Sequence, residues 1–181
     1  MHTLVIHPRD ITTDFLAPIY YNITDADVVT HGWDDDEILD ALEIYDRVLM
    51  MGHGSPNGLF SVGNFTTKSP YIIGSHCVEL LQQNDSNVYI WCNADKFVQK
   101  YLLKGFYTGM FISEVAEANY CGVYDTTQDM VDESNDLFAE VLGNHINEDK
   151  YTIYKQVRSG YGDIIKHNPV ANYNWKRLYV N

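Results

Sequence analysis

The chain has 181 residues, with 25 acidic against 12 basic side chains and a formal charge of −13. At this length one domain, spanning 1–181, is expected to bury a sizeable core. An aromatic share of 13% excludes disorder, and the acidic balance excludes a nucleic-acid binder or a protein that docks on anionic membranes, because it would repel their phosphates.

Residues 3–7 (TLVIH) form a short β-branched run that stops at Pro8, which predicts a strand and a break. A second strand is expected at 26–30 (ADVVT), before His31 and Gly32. The acids Asp34–Glu37 open a helix, where negative charge suits the N-terminus, and Ile38, Leu39, Leu42 and Tyr45 follow at helical spacing. A third strand, 47–51 (RVLMM), ends at Gly52-His53-Gly54. Past a loop rich in Gly, Ser, Pro and Asn, 76–83 predicts a helix, and a fourth strand, 87–91 (NVYIW), ends at Cys92. Helices are expected at 96–103 and 112–119, and a fifth strand at 120–124 (YCGVY), ending at Asp125. Residues 129–146 predict a long amphipathic helix with Met130, Leu137, Val141 and Leu142 on its apolar side, and the polar stretch from 147 adds a helical turn. The alternating tail, 172–180, predicts a closing edge strand. The alternation predicts an α/β three-layer sandwich with a mostly parallel central sheet and an antiparallel C-terminal edge.

No apolar run approaches the roughly twenty residues of a membrane span. The start, MHTLVIHPRD, lacks the basic region and long apolar stretch of a secretory signal. The three cysteines, Cys77, Cys92 and Cys121, are widely spaced, odd in number and without metal-ligand spacing. A reducing, cytoplasmic setting without disulfides, metal or cofactor is the expectation.

Ligands of open parallel sheets sit beyond the carboxyl ends of the strands. Those ends carry His7 to Asp10, His31-Gly32, His53-Gly54, Cys92-Asn93 and Asp125. Two of them make a chemical pair. Cysteine is a strong nucleophile that needs a base for its proton, and histidine titrates near neutrality. Gly54 lets the backbone approach a substrate carbonyl, so its N–H and that of Cys92 are candidate oxyanion donors. The plainer reading makes Cys92 buried packing and His53 a turn residue. His31-Gly32 repeats the His-Gly form on a shorter, less apolar strand. Cys77 is expected as helix packing, Cys121 as a buried strand residue.

The blocks RVLMMGHGSPNGLF and NVYIWCNAD, an apolar strand into His-Gly and another into Cys, resemble the caspase-like (clan CD) cysteine peptidases, which include caspases, gingipains, clostripain, separase and CHAT-domain proteins. GMFISEVAEANYCGVYD is similar to the segment that follows the nucleophile in CHAT-type members. The Gln-Ala-Cys-x-Gly signature of true caspases is absent. The resemblance implies a caspase-like thiol hydrolase (cysteine peptidase) with His53 as general base or acid, Cys92 as nucleophile and Gly54 N–H in the oxyanion hole. It further implies that Arg9, Asp10, Asp125 and Asp129 select the substrate. With three of those four acidic, a protein or peptide cut after a basic residue is expected. A regulatory or activating protein partner fits the same picture. The alternative is a catalytically silent caspase-like module that acts by protein–protein interaction, for which Trp91, where the family usually has a small residue, is the main sign.

Overall fold

The computed structural model of the chain describes residues 1–62 and 65–181. In chain order it runs β1 (Thr3–Ile6), a 3-10 helix (Asp14–Tyr20), β2 (Ala26–Val29), α1 (Asp35–Ile44), β3 (Arg47–Met51), β4 (Gly54–Ser55), β5 (Gly58–Phe60) and β6 (Tyr71–Ile73). A 3-10 turn (Ser75–Cys77), α2 (Val78–Leu81), β7 (Val88–Ile90), α3 (Ala94–Lys100), β8 (Phe106–Thr108), α4 (Val115–Tyr120) and α5 (Gln128–His145) follow. The chain ends with α6 (Lys150–Gly160), a 3-10 helix (Gly162–Lys166), α7 (Pro169–Trp175) and β9 (Leu178–Val180).

Among the described residues, six strands form the central sheet in the order β2-β1-β3-β7-β8-β9. All its pairs are parallel except β8 with β9, which closes one edge antiparallel. The expected mostly parallel α/β sheet and its C-terminal antiparallel edge are both present. Side chains alternate across this sheet as the strand period demands. Leu4, Ile6, Val48, Met50, Tyr89 and Trp91 pack on one face with Ile38 and Leu42 of α1, Leu81 of α2 and Phe97 of α3. Val5, Leu49, Met51, Val88, Ile90 and Phe106 pack on the other, against Leu16 of the first 3-10 helix, Phe138 and Leu142 of α5, and Ile153 and Val157 of α6. Helices therefore flank the sheet on both sides. None of the described helices is long and apolar enough to cross a membrane.

The local reasons are visible. Asp34 caps α1, accepting from the Asp36 and Glu37 N–H groups, while Glu37 reaches back to the Asp34 N–H. Asp149 caps α6 and Asn168 caps α7, with Pro169 at its first turn. Arg47 is buried at the foot of β3 and its Nη1 donates to Ile146 O at the end of α5. Burial lowers its pKa to about 10.

Several expectations change. Residues 120–124 are not a strand. Gly122 adopts φ +76°, its N–H bonds to Asn119 O, and Val123 N–H bonds to Ala118 O. That is a Schellman stop at the end of α4, so the apolar run there terminates a helix. The fifth parallel strand is instead β8, directly after Gly105. A Cβ at Gly105 would lie 2.0 Å from Asn87 O, so glycine alone lets the strand enter beside β7. Cys121 sits at the helix end, half-buried, and is not a strand residue. Residues 147–160 hold the eleven-residue α6 rather than one added turn. Much of the tail expected as strand is α7, with β9 confined to its last residues. The loop after Gly54 contains the small antiparallel sheet β4-β5-β6. Positions 63 and 64 of that loop lie outside the described residues.

Candidate active site at the carboxyl ends of the central strands

β3 and β7 are neighbours, with Met51 opposite Ile90. His53 and Cys92 each lie two residues further on, so the register brings them past the same sheet edge. Gly52, at φ +141°, bonds through its N–H to Ile90 O and turns the chain out of the sheet. Asn93 adopts a left-handed φ of 66° between β7 and α3, a conformation uncommon for a side-chain-bearing residue. Cys92 therefore occupies a sharp strand-to-helix turn. His53 and Cys92 line one small cavity of about 20 Å³, together with Phe15, Thr108, Phe111 and Ser113.

The His53 ring is held from the β1 side. Its Nε2 lies 2.7 Å from Thr12 Oγ1 and 3.0 Å from Asp10 Oδ2. Thr12 Oγ1 donates to Asp10 Oδ1 at 2.7 Å, so its oxygen is free to accept. With two acceptors facing it, Nε2 carries the hydrogen and Nδ1 keeps the basic lone pair. Asp10 is itself fixed by the N–H groups of Thr12 and Thr13. Burial alone would raise its pKa, but these hydrogen bonds and His53 outweigh it and hold the carboxyl below its usual range.

Cys92 Sγ lies 3.4 Å from Phe111 O and 3.8 Å from Glu117 Oε1, so one thiol proton is shared between two acceptors. Glu117 is anchored in the first turn of α4, where its Oε2 accepts from the N–H and Oγ of Ser113. Burial first, and then the Glu117 charge, push the Cys92 thiol up to about 12. The resting sulfur is a protonated thiol. Burial pushes the Cys77 thiol to about 12 as well; it is wholly buried in the core, away from this edge.

Two backbone donors complete the edge. Phe60 N–H donates to His53 O, which makes Gly54/Leu59 the non-hydrogen-bonded pair of the small sheet and turns Gly54 N–H away from β5. Cys92 N–H makes no backbone hydrogen bond among the described residues. Gly54 has a further constraint. A Cβ there would lie 2.2 Å from Trp91 Cδ1 and 2.7 Å from Gly58 O, so the indole fills the space a side chain would need. Trp91 packs edge-on to Tyr89 and Phe97, and its Nε1 donates to Ser55 O. Strand alternation sends Trp91 to the α3 face and Cys92 to the face of the first 3-10 helix.

The four residues expected to select substrate are dispersed. Asp10 is drawn into the site, but as the partner of His53. Arg9 is exposed and its Nε donates to Asp14 Oδ1 at 2.9 Å, a bond that raises its pKa. Asp125 is exposed in the α4–α5 connection at φ 58°, and Asp129 is exposed in the first turn of α5. Neither lines the cavity. Their expected place depended on a strand at 120–124, and the Schellman stop removes it. His31 lies beyond the outermost strand, β2, two strands removed from β3.

Three contributors are not evident in the motifs: Thr12, Phe111 and Glu117. Only Thr12 had a signal, because Asp-x-Thr after a strand is an Asx-turn pattern whose hydroxyl folds back on the carboxylate. Among the described residues, no group of three or more His, Cys, Asp or Glu side chains is placed to hold a metal ion. Comparison with protein-family models, with curated proteins and with solved structures gives no match to this chain.

Proposed function

We propose that the chain is a caspase-like cysteine endopeptidase acting on a protein or peptide substrate. The observation that carries this reading is the meeting of an Asp10-oriented His53 and of Cys92 at one cavity on adjacent parallel strands. Because the thiol rests protonated, its proton passes to His53 Nδ1 as Sγ attacks the substrate carbonyl carbon. The carbonyl π electrons move to oxygen, and the oxyanion is held by the N–H groups of Gly54 and Cys92. On collapse the C–N bond breaks, His53 returns the proton to the leaving amine, and a thioester remains on Cys92. Water, deprotonated by His53, then attacks the thioester. The C–S bond breaks, the acid leaves and Cys92 regains its proton. Asp10 and Thr12 fix the tautomer this cycle needs and stabilise the transient imidazolium.

A second reading has one observation in its favour. Glu117 against Cys92 opposes thiolate formation, as in a silent module that works through a protein partner. Peptidyl electrophiles separate the two. Intact mass and peptide mapping are expected to locate a stoichiometric adduct on Cys92, absent in Cys92→Ser and lost in His53→Ala. Equal slow modification of Cys92 and Cys121, unchanged by His53→Ala, would instead establish the silent module.

A further inference from the structure

A recess of about 770 Å³ opens between the end of α4 and the two ends of α7. Gly122 and Tyr124, just past α4, form one wall. Lys166 and His167, which precede α7, and Lys176 and Arg177, which follow it, line the rest. It shares no residue with the cavity at His53 and Cys92.

In a chain of charge −13 this recess reverses the sign of its surroundings. Three of the 12 Lys and Arg residues line it, and among the described residues none of its lining is Asp or Glu. Neither Lys176 nor Arg177 pairs with a carboxylate among the described residues. Lys166 Nζ pairs with Asp163 Oδ1, but both side chains are exposed and water screens such a pair. Half-buried Arg177 is held in place. Its guanidinium sits 3.3 Å from the centroid of the Tyr173 ring, and its Nη1 donates to Tyr173 O at 3.1 Å. A Cβ at Gly109 would lie 3.3 Å from Arg177 Cβ, so the stem packs against that glycine. Nε and Nη2 make no hydrogen bond among the described residues. A donor already ordered in this way costs less to engage than a mobile one. Lys166 ends a 3-10 helix and Lys176 caps α7, where a cation complements the helix dipole. That accounts for each cation singly and not for their convergence on one recess free of carboxylates. Cations of one sign lining a concave surface reinforce one another and gather anions.

We propose that this recess binds a small oligophosphate, either a free linear chain or the phosphates of a nucleotide. It lies along α7 with one end at Lys166 and His167 and the other at Lys176 and Arg177. The seven residues of α7 rise about 10 Å, too far for one phosphoryl group to engage both pairs and within reach of several linked ones. The Arg177 guanidinium matches two phosphoryl oxygens at once, and the lysines act as point charges. The volume is that of a small-molecule site. The negative charge of the rest of the chain repels an extended polyanion, so the ligand is one that fits within the recess. The proposal does not rest on the peptidase reading, and its test reads binding alone.

Inorganic tripolyphosphate titrated into the intact chain at physiological salt is expected to shift the backbone amide resonances of Lys166, Tyr173 and Arg177. It is expected to bind at least about tenfold more tightly than orthophosphate, because it reaches both cationic pairs. Lys166→Glu/Lys176→Glu changes two exposed side chains and leaves the packing alone. It is expected to weaken tripolyphosphate at least about tenfold. Lys96→Glu/Lys100→Glu makes the same change of charge at exposed positions of α3 and is expected to leave binding nearly unchanged. No binding of tripolyphosphate, orthophosphate binding as tightly, or equal weakening by the two double variants overturns the proposal. ATP separates the two sources. Tighter binding of ATP than of tripolyphosphate assigns the recess to a nucleotide whose ring reaches the exposed Tyr124, and equal or weaker binding assigns it to the bare chain.

Discussion

At the scale of single residues the site is a balance between two carboxylates. Asp10 faces His53 Nε2 and leaves Nδ1 as the basic nitrogen, and Glu117 discourages Cys92 from releasing its proton. Their effects separate by substitution. Glu117→Gln keeps the acceptor toward Ser113 and removes the charge, so the Cys92 thiol is expected to titrate lower. Alkylation by iodoacetamide at fixed pH near 8 would then accelerate about tenfold, the scale of one screened charge at hydrogen-bond distance. Burial, the larger cause of the raised value, stays in place, so the titration midpoint is not expected to reach that of a free cysteine. A rate–pH profile identical to that of the unmodified chain would show that Glu117 does not govern the thiol. Asp10→Asn acts on the other partner. An amide can present its NH2 to Nε2 and favour the wrong tautomer, so modification of Cys92 by a peptidyl electrophile should slow about a hundredfold while iodoacetamide alkylation changes little. Parallel losses with both reagents would mean that Asp10 supports the fold and not the proton transfer.

At the scale of elements, Gly54 and Trp91 join the small sheet to the large one. The expectation that glycine serves substrate approach bears only on its N–H, which points away from β5, while the absent side chain makes room for the indole. Gly54→Ala is expected to destabilise the fold by about 1–3 kcal/mol, as overpacking in a close-packed region does. The cost should shrink in a Trp91→Leu background, where the ring atoms nearest the new methyl are gone. Urea unfolding of the two single variants and the double variant measures that coupling. Strict additivity would place the conflict at Gly58 O alone. The same pair shows what a sequence can disclose. His53 and Cys92 were legible because each ends an apolar strand, and order along a parallel sheet converts sequence neighbours into spatial ones. β8 was not legible, because three residues between a turn and a loop carry too short a pattern, while 120–124 carried a better one. The discriminating fact, a left-handed Gly122 closing α4, depends on the hydrogen bonds of the preceding helix and not on the run itself. Glu117 escaped notice for the same reason. Its position in the first turn of α4 matters only once β8 and the following loop carry Phe111 and Ser113 to Cys92.

At the scale of the whole molecule, His7 ties stability to pH. It closes β1, is wholly buried, and lies 3.3 Å through Nδ1 from the Tyr20 hydroxyl, with Nε2 unpartnered among the described residues. Burial, and then the charge of Arg9, lower its pKa from 6.5 to about 4. The unfolded chain therefore binds a proton at His7 between those values and the folded chain does not. Stability contributed by neutral His7 is complete above about pH 6.5 and falls as the pH drops toward 4, by about 3 kcal/mol in all. Between pH 7.5 and 5.5 the share is about 1.4 kcal/mol, still above the range where carboxylates dominate acid unfolding. The net charge makes the sign diagnostic. A chain at −13 gains relief from self-repulsion as it takes up protons, so charge alone would stabilise the fold on mild acidification. His7→Gln removes the titration while keeping a polar side chain for Tyr20. Urea midpoints at pH 7.5 and 5.5 should fall for the unmodified chain and hold or rise for His7→Gln. Equal behaviour of the two would mean that His7 is protonated inside the fold or reached by water. In that case the end of β1, from which Asp10 and Thr12 hold His53, would be more open than its packing implies.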